Sequence, residues 1–267
     1  MVVFPNAKIN LGLNVTEKRP DGYHNLETVF FPIPLLDILE LEKNELNQTR
    51  FTCSGIEIPN DGKDNLVVRT FKKIQDKFDL PHVDIHLHKN IPTGAGLGGG
   101  SADAAFMINL CAAYFNLEYP ENYAFDLAKS IGADCPFFLY NQACFAQGIG
   151  DEISPISFNL KNYYLVLVYP NIHVSTALAY QGIVPQKKGI NLPSELSKDI
   201  IQWKNFVVND FEKSVFNQFP VIADVKEQLY NQGALYASMS GSGAAVFGIF
   251  NQEPDFKTKH QNWIFKL

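Results

Sequence analysis

The 267-residue sequence is short of the features that mark several common protein classes. Its four cysteines, Cys53, Cys111, Cys135 and Cys144, never fall at Cys-x-x-Cys spacing. This argues against a structural zinc or a dithiol redox centre and points to reduced, mostly buried thiols in a cytoplasmic protein. Basic charge is also scarce: 22 Lys and Arg against 28 Asp and Glu leave a formal net charge of −6. A nucleic-acid binder would normally carry a basic face, so no nucleic-acid partner is expected. An anionic ligand would have to be drawn by local groups such as backbone N–H donors and single lysines. Long apolar runs are missing as well. The longest, "YYLVLVYP", is too short to span a bilayer, and the N-terminus reaches Lys8 and two asparagines before a signal-peptide core could form. No membrane association is therefore expected. Internal repeats and linker-like tracts are absent, and nothing in the chain specifies an assembly beyond a monomer or weak homodimer.

What is present is a mixture of two periodicities. From Val2 to Val15 the residues alternate, with Ala7, Ile9, Leu11, Leu13 and Val15 on one face and Lys8, Asn10, Gly12 and Asn14 on the other. This predicts a half-buried strand with a polar functional face. "RPDGYHN" is turn chemistry, and "LETVFFPI" and "LDILELE" read as further strands of an antiparallel, β-rich N-terminal lobe. "DNLVVRTFKKIQDKF" has helical spacing, with Leu66, Phe71, Ile74 and Phe78 on its apolar stripe and Asp64 or Asn65 as the cap. "VDIHLHKNI" is a strand that feeds into a glycine-rich stretch. A helix from near Ser101 follows, with Ala105, Phe106, Leu110 and Ala113 as its buried face, and then the helix "NYAFDLAKSI". In the second half, "YYLVLVYP" is a buried strand, "NDFEKSVFNQF" and "VIADVKEQLYNQG" are helices, and "ALYASMSGSGAAVFGIF" reads as two strands around a Gly-Ser-Gly turn. The fold class is α+β. Residues after Phe250 carry no legible signal.

The glycine-rich stretch, "NIPTGAGLGGGSADAA", contains Gly94-x-Gly96-x-x-Gly99, the spacing of a dinucleotide-binding fingerprint. Its context fails that reading, because a second helix rather than a parallel strand ending in an acid follows the first. A Walker loop fails too, since no Gly-Lys-Ser/Thr is present. A strand, a glycine-rich loop and a helix N-terminus nevertheless suit an anion: side-chain-free backbone at Gly96 to Gly100 can approach phosphate oxygens, and the helix adds its positive dipole end. Ser101 could present its hydroxyl to a phosphate or to a magnesium ion. His86 and His88 share a strand face, but two histidines without a third ligand make a weak metal site.

"PTGAGLGGGSADAA" resembles the phosphate-loop motif of the GHMP kinases. "SMSGSGAAVFGIF" is similar to that family's C-terminal glycine motif, and "AKINLGLNV" to its first motif. "DGYHNL", "SIGADCPFFLYNQACFAQGIGDE" and "VNDFE" narrow the likeness to the branch whose alcohol substrate carries a cytidine diphosphate, rather than to the homoserine or mevalonate type. The resemblance implies a two-lobe α+β fold, with a ribosomal protein S5-like ATP-binding lobe over residues 1–152 and a ferredoxin-like C-terminal lobe over 153–267. It also implies ATP and Mg²⁺ as cofactors. Pro92, Gly94, Gly96, Leu97, Gly98, Gly99, Gly100, Ser101 and Ala102 would bind ATP, with Ser101 also near the metal ion. By position relative to the loop, Asn65 and Lys89 would line the adenine pocket. Lys8 and Asp134 would carry phosphoryl transfer, with Asp134 accepting or orienting the alcohol proton and Lys8 stabilising developing charge. Tyr23 would stack on cytosine and His24 would bond its edge. Asn10, Thr176 and Tyr180 would complete the substrate site, although Ser175 stands where family members often have proline.

Overall fold

A computed structural model describes residues 1–58 and 65–267. The chain forms two compact units that interleave along the sequence.

The first unit comprises residues 1–7, 34–93 and 98–141. Its sheet has the order β1–β4–β6–β5, from β1 (Val2–Val3), β4 (Ile38–Lys43), β6 (Val83–Lys89) and β5 (Arg50–Gly55). The expected antiparallel pairing holds for β1, β4 and β6. β5 runs parallel to β6, because helix α1 (Leu66–Phe78) returns the chain between them. Asn65 caps α1, its side chain accepting from Val67 N–H at 2.8 Å, whereas the alternative cap Asp64 lies outside the described residues. β6 alternates strictly, burying Val83, Ile85 and Leu87 against Leu39, Leu41, Phe71 and Ile74.

Helix α2 (Gly99–Phe115) begins two residues before Ser101. Of its expected buried face, Ala105 and Leu110 are buried, but Phe106 is half-buried and Ala113 is exposed. Ala102, Ala104, Met107, Ile108 and Cys111 are buried instead. The reason is that α1, α3 (Tyr123–Ile131), α4 (Cys135–Tyr140) and β4 all pack on α2, so no single stripe defines its interior.

The second unit comprises residues 8–33, 94–97 and 142–267. One sheet has the order β2–β3–β7–β8, from β2 (Asn6–Lys18), β3 (His24–Leu36), β7 (Cys144–Gln147) and β8 (Glu152–Pro155). The other is antiparallel, in the order β10–β11–β9–β12, from β10 (Tyr236–Met239), β11 (Val246–Phe250), β9 (Tyr164–Tyr169) and β12 (Gln261–Lys266). Five helices complete it: α5 (Thr176–Ala179), α6 (Leu192–Leu196), α7 (Trp203–Phe206), α8 (Phe211–Gln218) and α9 (Pro220–Asn231). Leu13 and Val15 of β2 join Val166, Val168, Phe211, Val215, Ile222, Val225 and Leu229 in one core.

The β2 strand departs from the expected half-burial. Residues 6–15 are all buried, including Lys8, Asn10 and Asn14. Its polar face is interior, so each polar group there needs a protein partner or a ligand. Among the described residues, no helix is long and apolar enough to cross a membrane.

Candidate active site

In the second unit, Lys8 is only 3% exposed. Its ammonium donates to Asn10 Oδ1 at 2.6 Å and to the carbonyl oxygen of Gly96 at 3.1 Å, and it lies 4.9 Å from the centre of the Phe30 ring. A buried ammonium costs several kcal/mol unless it is partnered, and these contacts hold it in place. Asn10 Nδ2 donates to Thr28 Oγ1, which donates in turn to the Gly12 carbonyl. The Asn10 backbone N–H donates to Ser240 Oγ, and Ser240 Oγ donates to Gly96 O at 2.8 Å. One carbonyl, that of Gly96, thus gathers the Lys8 ammonium and the Ser240 hydroxyl.

Gly96 has φ +77°, and a Cβ there would lie 1.9 Å from the Ser240 carbonyl oxygen, so no larger residue fits. The Gly-Ser-Gly turn is held from behind by "VNDFE". Asn209 Nδ2 donates to the carbonyls of Met239 and Gly241, both at 2.8 Å, and Glu212 Oε1 accepts from Met239 N–H at 2.9 Å. Thr28, Ser240 and Asn209 hold this hydrogen-bonded candidate site together, and periodicity did not single them out. Their signal was motif membership for Ser240 and Asn209, and none for Thr28.

At the other end of the same strands, His24 and Tyr180 stack with ring centroids 4.6 Å apart, and Phe211 closes edge-on against Tyr180. Tyr23 is 61% exposed at the tip of a turn that Asp21 organises by accepting from Tyr23 N–H and pairing with Arg19. Thr176 is exposed at the first position of α5. Ser175 caps that helix by accepting from Leu178 N–H, which gives the departure from proline a local reason.

In the first unit, Gly98 (φ +70°) is the cap position of α2, and a Cβ on Gly99 would meet Ile91 at 2.9 Å. Gly100 differs: it is exposed, and among the described residues a Cβ would meet only Leu66, at 3.7 Å. Protein packing does not demand a glycine there, so the missing side chain leaves the first turn of α2 open to a ligand, with its amide donors unspent by the helix. Burial pushes the Cys135 thiol up to about 12, against the pull of the nearby Ser101 hydroxyl. Asp134 occupies the cap position of α4, yet its side chain makes no capping hydrogen bond. The cap explanation of this aspartate is thereby removed, while its place in the turn before α4 stands.

Asn65 spends its side-chain oxygen on capping α1, as one of the two expected caps. One expectation changes. Lys89 does not line a pocket with its ammonium: it is 2% exposed and paired with Asp37 and Asp103. Its parity with Val83, Ile85 and Leu87 in "VDIHLHK" was the overlooked signal. On the opposite parity, His86 and His88 share the Ser54 hydroxyl, at 2.9 Å each, and His86 also meets Thr52. They form a hydrogen-bonded ladder between β5 and β6, and among the described residues no group of three metal-ligating side chains occurs.

Burial pushes the Asp103 carboxyl up to about 7, against the pull of Lys89 and with repulsion from Asp37 adding to it. The unfolded chain releases this proton near 3.8, so folding takes up a proton between about pH 4 and 7, and stability falls as pH rises through that window. Asp103→Asn removes the effect. The Tm advantage of the variant should widen from pH 4 to 7 and stay constant above. Thermal unfolding in a pH series checks this, and a gap independent of pH would refute it.

Comparison with known proteins places these features in a family. The N-terminal domain of GHMP kinases matches residues 65–142, and the GHMP kinase C-terminal domain matches residues 194–262. The chain is 52% identical over 255 residues to 4-diphosphocytidyl-2-C-methyl-D-erythritol kinase of Bacteroides fragilis, covering 95% of this chain and 93% of the relative. It is 48% identical to the Cytophaga hutchinsonii protein of the same name, covering 98% and 96%. A crystal structure of 4-(cytidine 5'-diphospho)-2C-methyl-D-erythritol kinase superposes with a TM-score of 0.75 at 32% identity, over 93% of this chain and 89% of that one. Mevalonate kinase of Methanococcus jannaschii, at 15% identity, shares the fold, with a TM-score of 0.74 over 99% and 97% of the two chains. With both domain matches in chain order and near-full-length relatives at half identity, the chain belongs to the GHMP kinase family.

Proposed function

We propose that this chain catalyses ATP-dependent phosphorylation of the 2-hydroxyl of 4-diphosphocytidyl-2-C-methyl-D-erythritol, on the non-mevalonate route to isoprenoid precursors. The observation that carries the reading is the buried Lys8 ammonium, held by Asn10 against the backbone of the glycine-rich stretch. Phosphoryl transfer asks a protein for positioning and charge stabilisation rather than covalent chemistry, and a fixed cation beside a phosphate loop supplies both.

In this reading residues 1–152 act as the ATP-binding lobe and 153–267 as the C-terminal lobe. The backbone of Gly94 to Ala102, entered through Pro92, wraps the triphosphate, and the open first turn of α2 at Gly100 receives phosphate oxygens. Asn65 lies at the adenine side, acting through the start of α1. Magnesium, when bound, offsets phosphate charge, and Ser101 is the residue that would hold it. Asp134 accepts or orients the proton of the attacking hydroxyl, while Lys8 stabilises charge on the transferring group. Asn10 has one amide N–H beyond the one given to Thr28, available for the polyol. The His24–Tyr180 stack and the exposed Tyr23 ring offer aromatic surface to cytosine, and Thr176 stands beside that stack in sequence. The enzyme works in the cytoplasm as a monomer or weak homodimer.

Coupled ADP release with purified protein, magnesium and a panel of alcohols tests the assignment. Turnover should require the cytidylylated substrate, and equal turnover with homoserine or mevalonate would remove the substrate while leaving a kinase. Tyr23→Ala should raise KM for the alcohol by ~5–10-fold, the loss of one base–aromatic stack, with KM for ATP nearly unchanged. The reverse pattern would relocate the cytosine site.

A further inference from the structure

Below the glycine-rich stretch the first unit buries a charged cluster that the phosphoryl-transfer chemistry does not use. Lys89, the last residue of β6, donates its ammonium to Asp37 Oδ2 and, at 2.8 Å, to Asp103 Oδ2. The side chains of Lys89, Asp37 and Asp103 are 2%, 0% and 3% exposed. Asp37 stands between β3 and β4, and its second oxygen accepts from the backbone N–H groups of Asn90 and Ile91 at 2.6 and 2.9 Å. These are the residues that lead into the glycines. Asp103 stands early in α2, the helix that leads out of them, and a Cβ on Gly99, the first residue of α2, would lie 3.2 Å from the Lys89 ammonium.

Two carboxylates and one ammonium make an expensive site, since buried ions lose their hydration and, among the described residues, Asp103 Oδ1 has no hydrogen-bond partner to offset that loss. A cluster selected for stability alone would do as well with apolar side chains. What the charged version adds is direction: each carboxylate oxygen in use points at one specific donor, and together they fix where the loop is entered and where it is left.

We infer that Lys89 is a positioning residue of the phosphate loop, joining the entry at Asn90–Ile91, through Asp37, to the exit at α2, through Asp103. The inference rests on reading the glycine-rich stretch as the ATP phosphate loop. Lys89 touches neither substrate. It sets the spacing of the backbone donors that do, and a displacement of such donors by an ångström is enough to lose an order of magnitude or more in effect.

Two variants test this in the ADP-release assay, with KM for ATP and for the alcohol measured separately and Tm recorded for each. Lys89→Met alone leaves two buried carboxylates facing each other, so it is combined with Asp103→Asn to remove the excess charge. The double variant should raise KM for ATP by ~10-fold or more while KM for the alcohol moves less than ~2-fold. Asp103→Asn alone keeps an acceptor for Lys89, should hold or raise Tm, and should raise KM for ATP by ~3-fold. A merely structural role would lower Tm and move both KM values together. The inference is overturned by an unmoved KM for ATP in either folded variant, or by a parallel rise in both KM values. Should the double variant fail to fold, Asp103→Asn decides alone by the same criteria. Absence of wild-type turnover would instead remove the ATP-loop reading on which the inference rests.

Discussion

Gly96→Ala is expected to lower Tm by at least ~5 °C and to raise KM for ATP sharply, the largest stability effect of any single glycine change at the site. The added Cβ would lie 1.9 Å from the Ser240 carbonyl oxygen, a backbone atom that no rotamer change can remove. The residue would also be held at φ +77°, which costs an L-residue ~1–2 kcal/mol. Relief requires the Gly-Ser-Gly turn to move, yet Asn209 and Glu212 hold that turn through Met239 and Gly241. Because the Gly96 carbonyl also receives Lys8 and the Ser240 hydroxyl, any shift disturbs the Lys8 ammonium. Gly22→Ala separates strain from collision: φ there is +89°, but no described residue lies within 4 Å of the added Cβ. It should cost only the conformational part, ~1 kcal/mol, or ~2–4 °C. If the two variants melt alike, the close approach of Gly96 to Ser240 is not what demands the glycine.

Asp134→Asn and Lys8→Met should each lower kcat by at least ~10²-fold, with different effects on stability. Asp134→Asn keeps the shape of the side chain and one acceptor oxygen, and α4 loses no capping bond, so the fold should persist. A large activity loss on an intact fold is what a group acting on the reacting hydroxyl produces. Lys8→Met keeps the apolar stem but removes the donor to Asn10 Oδ1 and Gly96 O, so some loss of Tm accompanies the loss of turnover. For Lys8 the informative reading is therefore kcat at saturating substrates. Retention of a tenth or more of wild-type turnover by Asp134→Asn would remove this residue from the chemistry.

Much of the site was legible before any coordinates. The strand, glycine loop and helix around Gly94 to Ala102 could be read as an anion cradle on backbone physics alone, and the family resemblance added Lys8, Asp134 and the "DGYHNL" turn as candidates. The aromatic partner was less clear. Tyr23 carried the distinctive motif, but the observed stack is His24 on Tyr180, two residues far apart in sequence that only the folded unit brings together. The stretch after Phe250 said nothing locally. It became β12 because β9 offered an open edge, and Trp263 and Ile264 found Leu167 and Val166 across it.

The sequence by itself determined most of the longer helices and strands, that the glycine-rich stretch suits an anion, and which motifs resemble those of one family. Those properties depend on periods of two and 3.6 residues and on short spacings, which are written along the chain. Only the tertiary structure decided that β2 is covered on both faces, that β5 runs parallel to β6, and that Lys89 points inward to Asp37 and Asp103. One strand's alternation reports two faces but not what covers each of them. Coverage comes from elements distant in sequence: it buried the polar side of β2, expected to be a half-buried functional face, and it paired the last lysine of β6, expected to line a pocket, with two buried carboxylates.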